Sequence, residues 1–498
     1  LPFGLPVMIA TFGLVGASLA AFTLLKPEMF PLSERGEVLI YMDMPKGASI
    51  AETERQARAV QAWLGDPERN PEVTSVTAFV GDGGPRFYLS LDPETPDPAI
   101  AFIVADTAGA EEAKALAARA RETFRLEFPA ARFRVTRLAA GGSESGVVEV
   151  EISGPDAETL LAASRRVEAA FERAPGLVRN ETDWGNKVVT VEVDVAQDKA
   201  REFGVTSEDI SEVMQAYFSG ARYSTFREGD EQIPIVLRAQ ETYRDSLEDF
   251  LDLSLAAKGE LISIDQVATF KPRLEFSEIR RMNQAREVTI SAKSETLSAQ
   301  DLAALIQPTL DGLSLGPAYQ ISIAGELEDS EEVYAKIGAN LPIALMVMLA
   351  ALVFQFNSFR RAMVTALTIP IVAVGAPFAM IAAGHPMSFF AVLGLMSLMG
   401  IIINNAIVLI NQIDINTETM ALDAAVVTAA TQRARPIVLT SLTTILGLIP
   451  MALNGGVLFE PMATIMIGGL AVASPLTLLF VPSVTYLLLR ARRSAAAA

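Results

Sequence analysis

GLMSLMGIIINNAIVLIN, residues 394–411, decides the fold class. These eighteen residues hold no Asp, Glu, Lys or Arg, and about 20 such residues span a hydrocarbon core roughly 30 Å thick. The stretch nevertheless carries Asn404, Asn405 and Asn411, followed at once by Gln412. Seven residues make two helical turns, so Asn404 and Asn411 share one face, and Asn405 and Gln412 another. Ser397 extends the first stripe. An unpaired amide in hydrocarbon costs several kcal/mol, so the stripe should face other helices or a wet cavity. Interhelical hydrogen bonding and a transport pathway both fit this spacing.

The stretch belongs to one of six apolar runs: Phe3–Leu25, Ile337–Phe356, Ala362–Ala383, Ser388–Ile413, Ala434–Leu453 and Pro461–Leu489. The first lacks a basic n-region and a small-residue cleavage motif, so it reads as a span and not a signal peptide. Opening at Leu1, the sequence is expected to start inside a longer protein. Arg360 and Arg361 follow the second run, Arg433 and Arg435 border the fifth, and Arg490, Arg492 and Arg493 follow the sixth. The opposite loops, 384–387 and 454–460, carry no Lys or Arg, so the Arg-bearing side is cytoplasmic. The segment between the first two spans then faces the exterior, the periplasm of a double-membraned bacterium. In the fifth run Arg433, Thr440, Thr444 and Gly447 fall on one helical face.

Nearly all of the 59 acidic residues lie between Glu28 and Glu332, so the net charge of −19 belongs to the water-facing part. Phosphate binding needs a cationic footprint, which excludes nucleic acid as a partner. With no cysteine and one histidine, thiolate and imidazole metal sites are excluded. Met42 and Met44 alternate on one strand face and read as core, leaving no metal site. No nucleophile–base set or phosphate-cradling loop marks an enzyme.

The water-facing segment alternates between strand and helix periods. Glu37–Met44, Val73–Val80, Arg86–Leu91, Ala99–Ala105 and Arg132–Leu138 read as strands around helices Ile50–Leu64 and Glu111–Phe128. A second unit reads as Val147–Ser153, helix Ala157–Ala174 and Leu177–Thr182, resumed by Arg286–Ala292, helix Ala299–Leu310 and Tyr319–Ile323. The expected fold is a polytopic α-helical membrane protein of about six spans, with a large periplasmic α+β domain made of ferredoxin-like βαβ units. About 100 residues of other texture interrupt the second unit and should protrude from it. Gly81, Gly83 and Gly84 form a loop of permissive torsions, flanked by Phe79, Phe87 and Tyr88, which fit either an apolar pocket or an ordinary hairpin core. Strand alternation would let only one of Phe87 and Tyr88 enter a given pocket.

The opening stretch, with RARPIVLTSLTTILGLIPM (433–451) and GGLAVASPLTLLFVPSVTYLL (468–488), resembles the last three helices of resistance–nodulation–division (RND) efflux transporters. LKPEMFPLSERGEVLIYMDMPKGASIAETE (25–54) resembles the segment leaving their seventh helix, and FVGDGGPRFYLSLDPE (79–94) the loop and strand after it. The resemblance covers essentially the whole chain and implies the carboxy-terminal half of a hydrophobe/amphiphile efflux pump. Residues 1–27 would be the seventh membrane helix, 28–140 the first porter subdomain, and 141–185 and 282–332 the two halves of the second. Residues 186–281 would be the channel-docking insertion, 333–493 five membrane helices and 494–498 the tail.

The implied activity is proton-driven multidrug efflux of small amphiphilic substrates, without a cofactor, by an inner-membrane antiporter. The implied partners are the N-terminal half of the same pump, further copies in a homotrimer, a periplasmic adaptor, an outer-membrane channel and membrane lipid. The family's proton relay pairs two aspartates of the first half with a lysine and an asparagine on the tenth helix and an arginine and a threonine on the eleventh. Asn404 and Asn405 stand at the lysine–asparagine positions, Arg433 and Thr440 at the other two. Replacing the lysine by Asn404 puts a charge-swapping scheme in doubt, because an amide only donates and accepts hydrogen bonds. Asn404 and Asn405 are therefore expected to hold the acidic pair. Tyr88 matches a pocket phenylalanine by position. Two alternatives remain: a lipid or sterol-like exporter of the same superfamily, and a non-transporting scaffold assisting secretion.

Overall fold

The computed structural model describes residues 4–88, 91–138, 140, 146–240, 253–257 and 260–497. After the membrane helix α1 (Gly4–Phe22), the chain forms β1 (Glu37–Asp43), α2 (Ile50–Leu64), β2 (Val73–Val80), β3 (Ile100–Thr107), α3 (Ala110–Glu127) and β4 (Arg132–Arg137). The strands make one antiparallel sheet in the order β2-β3-β1-β4. Val38, Ile40 and Met42 of β1 are buried with Val60, Leu64, Leu116 and Phe124 of the two helices. Leu39 and Tyr41 point the other way, to Phe102 and Val104. Both faces of β1 are thus covered, which is why its interior, VLIYM (38–42), is apolar without a break. Residues 86–88 are not a strand, contrary to the reading of 86–91 (89 and 90 lie outside the described residues). Tyr88 packs over the sheet's second face.

The second unit contributes β5 (Val147–Gly154), α4 (Ala157–Phe171) and β6 (Leu177–Thr182) before the chain leaves it. Residues 185–278 form a separate compact unit. It contains β7 (Lys187–Val195), α5 (Gln197–Phe203), α6 (Ser207–Phe218), β8 (Ala221–Glu228), β9 (Glu231–Leu237), β10 (Ser254–Ala257), β11 (Glu260–Ser263) and β12 (Ala268–Phe276). Its strands pair as β7–β12, β8–β9 and β10–β11; Ile210, Tyr217, Leu255 and Ile264 form its core, and the β8–β9 hairpin stands largely exposed outside it. The sandwich then resumes with β13 (Arg281–Met282), β14 (Ala285–Ser294), α7 (Ala299–Asp311) and β15 (Gln320–Gly325). Here β14 pairs with β13, β5 and β6, and β15 closes the far side of β5.

β15 runs into the next membrane helix, α8 (Glu326–Phe356), with no residue between them. Gly325 takes φ +79°, and a Cβ there would stand 2.7 Å from the Val147 carbonyl oxygen, so only glycine allows this passage. The buried Glu326 carboxylate accepts the Met29 N–H at 2.9 Å and the Gly146 N–H at 2.5 Å. It thereby ties the head of α8 to the segment after α1 and to the start of the second sandwich. Then follow α9 (Phe359–Ala366), a 3-10 turn (Ile369–Ala373), α10 (Ala376–Ala383), α11 (Phe389–Thr417), α12 (Leu422–Asn454) and α13 (Gly456–Ala497). The third span, read as one helix, is broken. Pro370 lies in the turn, and Gly375 has φ +89° with its Cβ direction 2.5 Å from the Gly468 carbonyl oxygen. Among the described residues, six helical segments are long and apolar enough to cross a membrane.

Candidate functional site

On α11, adjacent residues differ by about 100° around the axis, and this separates the two amides. Asn404, with Ser397, Gly400 and Asn411, lies on a face left exposed among the described residues. Asn405 turns inward and is 8% exposed, its Nδ2 buried without an acceptor. The pair read as acting together therefore points in two directions. On α12 Arg433 is half-buried and its Nε has no partner among the described residues, while Thr440 Oγ1 donates to the Ile437 carbonyl at 3.0 Å. Thr444 donates to the Thr440 carbonyl at 2.8 Å. These threonines satisfy themselves on their own helix. Among the described residues no hydrogen bond joins Asn404, Asn405, Arg433 and Thr440 to one another.

The polar links within the bundle lie elsewhere. Ser441 and Ser474 hydroxyls meet at 2.8 Å between α12 and α13. Gln412 donates to Asn416 Oδ1 at 3.0 Å, and Asn416 Nδ2 reaches the Gln432 side chain at 3.3 Å. Arg361 pairs with Asp414 at 2.9 Å. Sequence reasoning used Arg361 only to set orientation; an acid just past an apolar run was the available signal.

The glycine loop closes the second face of the first sheet. Gly81 and Gly84 both take φ +75°. A Cβ on Gly81 would lie 2.5 Å from Ile50 Cδ1, one on Gly83 2.4 Å from the Glu94 backbone N and O, and one on Gly84 2.6 Å from Phe102 Cδ1. All three glycines are thus needed for the loop to lie this close. The Asp82 carboxylate accepts the Gly84 N–H at 2.7 Å. Beneath the loop the rings of Tyr41 and Phe102 lie 4.9 Å apart, and those of Phe79 and Phe102 6.2 Å. Tyr88 joins this cluster, whereas Phe87 is 41% exposed. Met42 and Met44 are buried under the helices on the opposite face. A crevice of about 680 Å³ opens between the two sandwiches, lined by Arg121, Glu122, Arg125, Arg132 and Phe133 on one side and Leu177, Val178 and Glu295 on the other, Glu295 pairing with Arg121.

The signature of the AcrB/AcrD/AcrF family matches residues 4–490. The cobalt-zinc-cadmium resistance protein CzcA of Cupriavidus metallidurans is 26% identical over 506 positions, which take in 95% of this chain and 46% of CzcA. The swarming motility protein SwrC of Bacillus subtilis is 27% identical over 305 positions, 60% of this chain and 29% of SwrC. The fold superposes on a crystal structure of a heavy metal efflux pump with a TM-score of 0.78, at 21% identity, over 96% of this chain and 50% of that one. The chain spans about half the length of CzcA and of that pump.

Proposed function

This chain belongs to the AcrB/AcrD/AcrF family of RND efflux transporters, and we propose that it works as the carboxy-terminal half of a proton-driven exporter of hydrophobic or amphiphilic small molecules. The observation that carries the substrate class is the aromatic face of the first sheet, Tyr41, Phe79, Tyr88 and Phe102, roofed by a loop that only glycines can form. Such a face binds apolar area without demanding a fixed hydrogen-bond pattern. The mixed charged and apolar lining of the crevice suits amphiphiles arriving between the sandwiches.

Coupling is assigned to the uncovered stripe of α11. Asn404 can donate to a carboxylate through Nδ2 and accept from a carboxylic acid through Oδ1, so it senses protonation of acids supplied by the other half without being charged itself. Asn405, facing inward, supports the helix. The working unit in this reading is a homotrimer in the inner membrane with a periplasmic adaptor and an outer-membrane channel. Asn404→Leu in the full-length pump should abolish growth of the producing cells on cationic detergents at unchanged protein abundance. Unchanged growth would remove the coupling role.

CzcA and the solved pump are named for metals, which favours metal-cation export as the second reading. Against it, no three His, Asp or Glu side chains among the described residues stand close enough to hold an ion. Tolerance of cells to zinc and cobalt salts, compared with tolerance to detergents, separates the two. Protection against the salts alone would replace the first reading with the second.

A further inference from the structure

Arg134 of β4 stands where the glycine loop, the first sheet and the second sandwich meet. Its Nη2 donates to Glu94 Oε1 at 2.6 Å, and its guanidinium carbon lies 3.8 Å from the centroid of the Tyr41 ring. On the other side, its Nε is 3.6 Å from Glu181 Oε1 on β6. Glu94 is also the backbone against which Gly83 rests, so holding Glu94 holds the loop. The ends of the segment are pinned separately. Gly81 N–H donates to the Ile100 carbonyl at 2.8 Å, and Lys46 pairs with Asp97 at 2.9 Å. Of these three pins, the middle one also reaches the second sandwich. Glu181 is itself oriented by Arg179 at 2.6 Å, and Asp43 lies beside the group on β1. One guanidinium fork therefore faces two carboxylates on different sandwiches, the nearer bonded and the farther only paired.

We propose that Arg134 is a latch with two alternative partners: on Glu94 it holds the glycine loop over the aromatic face, and an approach of β6 that brings Glu181 onto it releases the loop. The proposal rests on the reading that the aromatic face receives substrate, and it makes Arg134 a positioning residue linking the crevice to that face. The test needs no substrate. Val104 is buried in the cluster beneath the loop, and the 498 residues contain no cysteine, so Val104→Cys in a full-length pump otherwise free of cysteine reports lifting through its rate of reaction with a maleimide.

Glu94→Gln should raise that rate about tenfold or more, as expected for losing a hydrogen bond to a charged group. Glu181→Gln should lower it roughly two- to threefold, as removal of a partly exposed competitor would. If Glu94→Gln does not fold, Arg134→Lys, which lacks the fork, should give the same rise. A purely structural cluster would speed labelling in both arms, and that result, or no change in either, overturns the latch. Opposite signs alongside detergent tolerance indifferent to Phe79→Ala would keep the latch and remove the substrate reading. Tolerance dependent on Phe79 with faster labelling in Glu181→Gln would do the reverse.

Discussion

The two sandwiches share a strand order and differ on the face their helices leave free. In the first, the helix side is built from Val38, Ile40 and Met42, and in the second from Val148, Val150 and Ile152, all fully buried. The free faces have opposite chemistry. The first carries Leu39, Tyr41, Phe102 and Val104 under the glycine loop. The second carries Glu149 and Glu151, which accept from Ser291 at 3.1 Å and from Ser322 at 3.0 Å. The same architecture packs alike on one face and differs in chemistry on the other. Each sandwich also holds one of the chain's two tryptophans, Trp63 against Phe124 in the first and Trp184 bonded to the Glu287 carbonyl in the second. Single-tryptophan variants can therefore follow the two separately.

The largest expected effect comes from opening the aromatic face. Phe102 is 1% exposed and contacts both Tyr41 and Phe79, so Phe102→Ala should cost about 3–5 kcal/mol. In denaturant titrations of the full-length pump, the Trp63 transition should move to lower denaturant while the Trp184 transition stays in place. If both move together, the sandwiches unfold as one and the comparison loses its thermodynamic half. Detergent tolerance should fall as well.

A smaller, pH-dependent effect belongs to Asp43, at the end of β1 beside the latch. Burial first, then the Glu94 and Glu181 charges, push its pKa up from 3.8 to about 6, against the pull of Arg134 and Lys46. A carboxyl that binds its proton more tightly when folded stabilises the fold fully below pH 3.8 and loses that contribution as pH rises through about 6. Asp43→Asn stays neutral throughout. It should therefore unfold later than the parent by about 1–3 kcal/mol at neutral pH, with the gain shrinking to nothing near the ordinary carboxylate pKa of about 3.9. A gain independent of pH would mean that the carboxylate is not strained where it sits.

These contrasts were partly legible in the sequence. The unbroken apolar run VLIYM in β1 and the alternation VVEVEISG in β5 already say that one strand is covered on both faces and the other on one. The same rule failed at Arg86–Tyr88, where Tyr88 covers a sheet instead of joining it, because periodicity records burial and not pairing. It also ran through the broken third span, where Pro370, Gly375 and Pro377 were the visible signals and hydrophobicity hid the break. For the amides, spacing gave the shared faces of Asn404 and Asn411 but not which face the rest of the chain would cover. Arg134, Glu94 and Glu181 were invisible as a group, since charge-pair partners so far apart in sequence leave no local pattern.

The smallest effect should come from the polar face of the second sandwich. Ser322 is exposed, and its bond to Glu151 can be replaced by water on both sides. Ser322→Ala should therefore change the Trp184 transition by no more than about 0.5 kcal/mol and leave detergent tolerance untouched. An unchanged transition with lost tolerance would mean that a partner docks on this face in the working pump. The second sandwich would then carry function on its free face, as we propose for the first, with polar contacts in place of aromatic ones.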